Sequence, residues 1–221
     1  MIGLVFLIDI DNTLLDNDRV KAGMESEIRR LAGEDGSEQF WNLYEVVRRE
    51  LDYVDVPVTL GRFRILRPDL RTFPQLSAAL LGYPFENDLY PRALEVVAHL
   101  KTFGTVVILS DGDPVFQPAK IGRIGVADAV DSNVLIFAHK EHHLDEVLRL
   151  YPADHYVLID DKPGILGRIK AVLRTRLTTI HVCQGKYATV EEANPAPDIT
   201  LDGIADVLQL GERDFLGRGA P

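Results

Sequence analysis

The chain has 221 residues, of which 46% are hydrophobic and 26% are charged, a composition typical of globular proteins. Its formal net charge of −10 argues against non-specific binding to nucleic acids and to anionic membrane surfaces. The single cysteine excludes an internal disulfide and fits a reducing compartment. We therefore expect a cytoplasmic protein that binds neither nucleic acid nor a membrane.

The first predicted element is a strand formed by the apolar run Leu4-Val5-Phe6-Leu7-Ile8. An uninterrupted apolar run of this length is typical of a parallel sheet that helices cover on both faces. Asp9, Asp11 and Thr13 follow the strand closely. Because ligands bind at the carboxyl ends of the strands in open α/β sheets, these side chains are candidates for a functional site. The alternative is a strand that ends in an acidic, solvated turn.

The segment that follows, from about residue 16 to residue 86, has no second apolar run of this kind. Helical spacing of apolar residues predicts helices over 20–31 and 38–51, separated by glycines at positions 33 and 36. A looser stretch covers 52–67, and Pro68 is placed to begin a third helix that ends near Gly82. This segment is predicted to be a helical insertion between the first strand and the rest of the sheet.

Strands and helices alternate along the rest of the chain. Strands are predicted at 106–109, 134–137, 156–159, 178–183 and near Ile199, and helices at 91–104, 115–124, 144–150, 165–173 and 204–210. Such alternation is typical of a parallel sheet with crossover helices on both faces. The predicted fold is α/β, with a Rossmann-like core formed by residues 1–15 and 87–221 and an inserted α-helical cap formed by residues 16–86.

Reactive side chains follow four of the apolar runs, namely Asp9, Ser110, Lys140 and the pair Asp160-Asp161. In a parallel sheet these positions lie along one edge, so side chains far apart in the chain converge. One carboxylate can attack phosphorus while a second transfers protons. Clustered carboxylates select Mg²⁺, and lysine and serine can hold phosphoryl oxygens. The residue types therefore indicate phosphoryl transfer.

In order along the chain, Asp9-Ile10-Asp11-Asn12-Thr13, Ser110, Lys140 and Asp160-Asp161 resemble the four motifs of the haloacid dehalogenase (HAD) superfamily. Thirty residues separate Ser110 from Lys140 and twenty separate Lys140 from Asp160, and both spacings fit the pattern of that family. The resemblance covers nearly the whole chain, because the insertion after the first motif looks like the small helical cap of the family.

The resemblance implies a metal site and a pair of catalytic carboxylates. Asp9 would be the nucleophile and a Mg²⁺ ligand. Asp11 would be the general acid and base, and its backbone carbonyl would also bind the metal. Asp160 would complete the metal shell, and Asp161 could bind the ion directly or through water. The dehalogenases of the family lack an acid/base aspartate at the position of Asp11, so the resemblance favours phosphate-ester chemistry.

The resemblance also implies contacts to the phosphoryl group. Ser110 would hold a phosphoryl oxygen, and Lys140 would stabilise the charges of the nucleophile and the phosphate. Thr13 and Asp111 are further candidates for substrate contacts, although Asp111 could instead orient the Ser110 loop or cap the following helix. Lys120 competes with Lys140 for the role of the active-site lysine. Its place inside a helix favours a solvated side chain or a substrate contact, whereas Lys140 follows an apolar run.

Two groups of residues in the insertion allow more than one interpretation. Arg62, Arg64 and Arg67 could meet an anionic substrate, although most surface arginines are solvated. Trp41 and Tyr44, at helical spacing, are expected in the core of the cap rather than as a stacking platform for a base.

These observations predict a Mg²⁺-dependent phosphatase that hydrolyses a small phosphomonoester through an aspartyl-phosphate intermediate. A phosphotransferase or phosphomutase on the same site, and a non-catalytic binding module with this fold, remain as alternatives. The small cap favours a small phosphorylated metabolite as the substrate. The sequence identifies neither that metabolite nor the oligomeric state.

Overall fold

The structure is a computed structural model that describes residues 3–188 and 194–217. Six strands form one parallel sheet with the order β3-β2-β1-β4-β5-β6. The strands are β1 (Leu4–Ile8), β2 (Thr105–Asp111), β3 (Val134–Phe137), β4 (His155–Asp160), β5 (Leu177–Val182) and β6 (Ile199–Leu201). The predicted α/β fold with a Rossmann-like parallel sheet is therefore confirmed.

Helices precede or follow every strand in the described ranges. The α-helices are α1 (Asn17–Leu51), α2 (Val56–Leu66), α3 (Phe73–Leu81), α4 (Ala93–Lys101), α5 (Phe116–Arg123), α6 (Val126–Ala129), α7 (Leu144–Leu150), α8 (Pro163–Leu173) and α9 (Glu212–Phe215). Short 3₁₀ helices cover Phe85–Asp88, Lys140–His142, Arg174–Arg176, Gly185–Tyr187 and Ile204–Gln209. Within residues 3–188 and 194–217, no helix combines the length and the hydropathy that crossing a bilayer requires.

The sheet is covered on both faces, which explains the uninterrupted apolar run of β1. Successive side chains of a strand point to opposite faces. Phe6 and Ile8 belong to one apolar cluster, which includes residues of α4 and of the helical insertion. Leu7 belongs to a second cluster, which it forms with residues of α7 and α8. All five residues of β1 are consequently buried.

The helical insertion between β1 and β2 agrees with the prediction at Gly33 and differs from it in two other places. Gly33 has non-helical backbone angles (φ 77°, ψ 175°) and interrupts α1 where the break was predicted. The stretch predicted to be loose contains α2, whose N-cap Asp55 accepts a hydrogen bond from the Val58 N–H. Pro68 does not begin a helix. The proline signal for a helix start applies instead to Pro57 in α2 and to Pro74 in α3.

The insertion shares its apolar core with one face of the sheet. Val20, Met24 and Ile28 of α1 belong to the same cluster as Phe6 and Ile8 of β1. The packing therefore holds the start of α1 against the sheet, directly after the first motif. The division into a core of residues 1–15 and 87–221 and a cap of residues 16–86 stays a prediction.

Candidate active site

Four adjacent strands bring the predicted site residues to one edge of the sheet. β1 lies between β2 and β4, and β3 lies beyond β2. Asp9 follows β1, and its N–H donates to the carbonyl of Ile159 in β4 (3.0 Å). Ser110 lies near the end of β2, and Asp160 is the last residue of β4. Lys140 begins the 3₁₀ helix after β3.

Lys140 is fully buried between two aspartates. Its Nζ lies 2.5 Å from Asp9 Oδ1 and 2.7 Å from Asp160 Oδ2. The ammonium also donates to the Leu109 carbonyl (3.1 Å). Burial alone would lower the pKa of Lys140, but Asp160 and Asp9 raise it above its ordinary value. Lys140 therefore carries a fixed positive charge beside the predicted nucleophile.

Asp161 completes a cluster of three buried carboxylates. Oxygens of Asp9, Asp160 and Asp161 lie within 4.8 Å of one another. Both oxygens of Asp161 are buried, and neither accepts a hydrogen bond from any residue in the described ranges. Burial, together with Asp9 and Asp160, raises the pKa of Asp161 to about 9. Burial also raises the pKa of Asp9 to about 6, although Lys140 lowers it.

This cluster fits a divalent cation. Three carboxylates in one buried site repel each other, and Lys140 lies within ion-pair distance of only two of them. Hard oxygen donors without other partners are the ligands that Mg²⁺ prefers. Burial and the neighbouring carboxylates raise the pKa of these carboxyl groups, whereas a bound cation would lower it.

Asp11 lies in a different environment from the cluster. Lys120 Nζ lies 2.7 Å and 2.9 Å from its two carboxylate oxygens. Gln117 Nε2 lies 3.4 Å from Oδ2. Burial alone would raise the pKa of Asp11, but Lys120, Lys162 and Gln117 bring it below its ordinary value. In this arrangement the side chain is a carboxylate held by an ammonium.

Of the two expectations for Lys120, a solvated side chain is wrong, and a substrate contact stays a prediction. Its side chain is 5% exposed, and its ammonium forms an ion pair with Asp11. The spacing of apolar residues in α5 carries no information on a contact between residues 109 positions apart. Lys140, not Lys120, contacts the predicted nucleophile Asp9.

The loop after β2 is fixed by side-chain hydrogen bonds. Ser110 Oγ accepts from Gln117 Nε2 (2.9 Å). Asp111 Oδ1 accepts from the backbone N–H of Lys140 (2.8 Å), so Asp111 holds the loop that carries the lysine. Asp113 Oδ1 accepts from the N–H of Phe116 (2.6 Å) and caps α5. A substrate contact of Asp111 stays a prediction.

The loop of the first motif is similarly constrained. Asn12 has a left-handed backbone (φ 62°), which asparagine tolerates better than most residues. Its Oδ1 accepts from the N–H of Asn17 (3.0 Å) at the start of α1. Gln184 Nε2 donates to the Thr13 carbonyl (3.0 Å), and Thr13 Oγ1 donates to Asp9 Oδ2 (3.4 Å). Thr13 thus contacts the predicted nucleophile, and a contact with substrate stays a prediction.

The sequence analysis did not identify two residues of the site. Lys162 Nζ lies 3.9 Å from Asp111 Oδ2. Burial alone would lower the pKa of Lys162, but Asp9 raises it above its ordinary value. Gln117 contacts both Asp11 and Ser110. The position of Lys162 directly after Asp160-Asp161 was a usable signal, whereas Gln117 is an ordinary residue inside a helix.

A cavity of about 430 Å³ opens beside these residues. Residues of the sheet edge and of α5 that line it, which we call the core wall, are Asp11, Asp111, Gln117, Lys120, Asp161 and Lys162. Residues of the insertion that line it, which we call the helical wall, are Lys21, Met24, Phe40, Trp41, Tyr44 and Arg48. This volume suits a small molecule.

The arginines and aromatic residues of the insertion have distinct positions. Arg62 pairs with Glu50 (2.6 Å) and Arg67 with Asp69 (3.3 Å), and neither they nor Arg64 line this cavity. Tyr44 is buried in the apolar core, as predicted, and its ring centroid lies 5.0 Å from that of Trp41. Both aromatic residues also line the cavity.

No family model matches the chain, and no curated protein sequence matches it. A solved structure from Burkholderia xenovorans LB400, assigned to the haloacid dehalogenase-like hydrolases, is 43% identical with a TM-score of 0.87. The match covers 95% of this chain and 97% of the Burkholderia chain. The chain belongs to the haloacid dehalogenase-like hydrolases. The resemblance to the HAD superfamily drawn from the four motifs is thereby confirmed.

Two more distant structures share the fold of this HAD-like hydrolase. The L-2-haloacid dehalogenase from Xanthobacter autotrophicus is 20% identical with a TM-score of 0.56, and the match covers 95% of this chain and 98% of the other. YfnB from Bacillus subtilis, assigned as a HAD hydrolase and bound to magnesium, is 12% identical with a TM-score of 0.63. That match likewise covers 95% and 98% of the two chains. At these identities the similarity extends to the fold alone.

Proposed function

We propose that this HAD-like hydrolase is a Mg²⁺-dependent phosphatase that acts on small phosphomonoesters. The observation that supports this most strongly is the buried cluster of Asp9, Asp160 and Asp161. Asp161 has no hydrogen-bond partner within the described residues, so the cluster lacks positive charge that a divalent cation would supply. YfnB, which shares this fold, is bound to magnesium, and this agrees with the proposal.

Asp9, Asp160 and Asp161 would hold the ion, together with the backbone carbonyl of Asp11 that the family resemblance suggests. When bound, Mg²⁺ would neutralise negative charge on the phosphoryl oxygens and on the carboxylates around it. Lys140 supplies a second positive charge at Asp9 Oδ1. These charges let an anionic phosphate approach an anionic nucleophile.

In the first step, a carboxylate oxygen of Asp9 forms a bond to phosphorus while the bond from phosphorus to the ester oxygen breaks. Asp11 donates its proton to the leaving oxygen, which departs as an alcohol. In the second step, Asp11 takes a proton from water, and the water oxygen attacks the phosphorus of phospho-Asp9. Inorganic phosphate leaves, the Asp9 carboxylate is restored, and Asp11 is again protonated.

The contact between Lys120 and Asp11 sets a requirement for the first step. An ammonium 2.7 Å from the carboxylate favours its ionised form. Asp11 must therefore leave Lys120, take up a proton from solvent and turn toward the ester oxygen before it can donate that proton. We infer that Lys120 keeps Asp11 ionised until a substrate occupies the cavity.

The fold shared with the Xanthobacter dehalogenase does not by itself favour dehalogenation. The second carboxylate, Asp11, matches the acid/base position that the dehalogenases of the family lack. Within the described residues, no feature distinguishes transfer to water from transfer to a second hydroxyl. Measuring the product separates these two outcomes, because hydrolysis releases inorganic phosphate.

The test is a panel of phosphomonoesters assayed for inorganic phosphate with Mg²⁺ and with EDTA. We expect turnover only with Mg²⁺, and a loss of at least about 10⁴-fold in kcat for Asp9→Asn. The control Asp145→Asn removes an exposed carboxylate in the first turn of α7 and should retain full activity. Circular dichroism should show both variants folded.

Three results would contradict the proposal. The first is Mg²⁺-independent release of chloride from L-2-chloropropionate without phosphatase activity. The second is transfer of phosphate to an added alcohol with no release of inorganic phosphate. The third is wild-type activity in Asp9→Asn.

A further inference from the structure

The helical wall contains a basic side chain, Lys21, that the proposed mechanism does not use. Lys21 lies in α1, is half-buried and lines the cavity. Its Nζ lies 5.5 Å from the centroid of the Tyr44 ring. Across residues 3–188 and 194–217, no carboxylate comes within ion-pair distance of this ammonium. Lys21 is thus positioned by an aromatic ring rather than by an acid.

Four other basic side chains that line the cavity do have acidic neighbours. Lys120 pairs with Asp11, and Arg48 pairs with Glu45. His139 lies 2.8 Å from Asp52, and Lys162 lies 3.9 Å from Asp111. The charge of Lys21 is therefore compensated less directly than theirs. A half-buried ammonium with no carboxylate at ion-pair distance among the described residues favours an anion from the ligand.

The electrostatic surroundings of Lys21 lead to the same conclusion. Burial and the nearby Lys186 ammonium lower the pKa of Lys21, and Asp11 and Asp18 raise it. Lys21 is therefore within electrostatic reach of a second ammonium and of the proposed acid/base Asp11. An anion beside Lys21 would compensate the charge of its ammonium. A phosphomonoester consists of the reacting phosphoryl group and its leaving group, so this second anion belongs to the leaving group.

We propose that Lys21 binds a second anionic group, a carboxylate or a second phosphate, on the leaving group of the substrate. The substrate class is then a phosphomonoester whose short carbon skeleton carries another negative charge. A cavity of about 430 Å³ has room for such a molecule. This inference rests on the proposed function for the reacting phosphoryl group, but the leaving group is recognised by different residues.

The experiment compares matched pairs of ligands, in which one member carries a second anionic group and the other carries a neutral alcohol in its place. One pair is 2-phosphoglycolate and 2-hydroxyethyl phosphate, and the other is 1,3-propanediol bisphosphate and 3-hydroxypropyl phosphate. Their dissociation constants are measured by calorimetry on the Asp9→Asn protein with Mg²⁺, in which the ligands are not consumed. The doubly anionic member of at least one pair should bind about tenfold more tightly or better. Whichever pair shows this preference identifies the second group as carboxylate or phosphate.

Substitutions at Lys21 assign this preference to its side chain. In the same Asp9→Asn background, Lys21→Met should reduce the preference to about twofold or less, and Lys21→Arg should keep most of it. The matched control is Lys101→Met, which removes an exposed lysine that pairs with Asp131 and does not line the cavity. That variant should retain the full preference.

Equal affinity within both pairs overturns the assignment, and so does a preference that survives in Lys21→Met. The same four compounds are then offered to the wild-type enzyme. If it hydrolyses both members of each pair with equal kcat/KM, the assignment fails while the proposed function stands. If it releases no phosphate from any ester but the Lys21-dependent binding preference persists, the proposed function fails while the assignment stands. Absence of binding of all four compounds to Asp9→Asn, together with absence of phosphate release from all four by the wild-type enzyme, overturns both.

Discussion

The two walls of the cavity hold their charged groups in different ways. In the core wall, acids and bases from distant parts of the chain neutralise each other, as Lys120 does for Asp11 across 109 positions. In the helical wall, Arg48 pairs with Glu45 three residues away, and Lys21 rests against an aromatic ring. The core wall is thus built by the packing of distant elements against the sheet edge, whereas the contacts of the helical wall lie within α1, on the two sides of its break at Gly33.

This difference in construction suits the two walls to different functions. A buried network of ion pairs tolerates no single loss, because each removal leaves another charge uncompensated. Local surface pairs contribute little, so the charged side chains of the helical wall can change without unfolding the protein. The core wall suits chemistry that is common to many substrates, and the helical wall suits selection among them.

The largest effect is expected from Lys140→Met beside the cluster of buried carboxylates. This change removes the ammonium between Asp9 and Asp160 and leaves both carboxylates buried without it. We expect a loss of about 3–5 kcal/mol in the free energy of unfolding, measured by urea denaturation without metal. Added Mg²⁺ should recover part of this loss. Unchanged stability would show that the two carboxylates do not depend on Lys140.

A smaller effect is expected from a pair of glycine substitutions, one beside the site and one in the insertion. Gly185 has a left-handed backbone (φ 60°), and a Cβ there would overlap the Asn12 side chain. Gly185→Ala should cost about 1–3 kcal/mol of unfolding free energy and lower kcat. Gly61 lies in α2 with open space around it, so Gly61→Ala should stabilise by about 0.5–1 kcal/mol.

Thermal unfolding of both glycine variants, with activity measured in parallel, tests this comparison. Equal effects at the two positions would mean that the loop around Asn12 is no more constrained than a surface helix.

The strands and their polar ends were predictable because both signals are local. β1 is a continuous apolar run, and the carboxyl ends of parallel strands always share one edge. This reasoning identified Asp9, Asp160 and Lys140. In the structure, carboxylate oxygens of both aspartates lie within 2.7 Å of the Lys140 ammonium. The contact between Lys140 and Asp9 joins residues 131 positions apart, yet it follows from the order of the strands.

Contacts made from the interior of a helix were not predictable in the same way. Lys120 in α5 has the same local pattern as a solvated lysine, and only the packing of α5 against the first motif reveals its role. The helix α2 was missed for another reason. Its start signal of Asp55 followed by Pro57 was present, but Gly61 in its interior weakened the helical pattern.

Titration of Mg²⁺ into the metal-free protein by calorimetry tests the central claim most directly. The account predicts one Mg²⁺ per chain for the wild-type protein and for the Asp145→Asn control. Affinity should fall at least about tenfold in Asp161→Asn, because this change removes a carboxylate that has no other partner. Failure of the wild-type protein to bind Mg²⁺, or unchanged affinity in Asp161→Asn, would contradict the account.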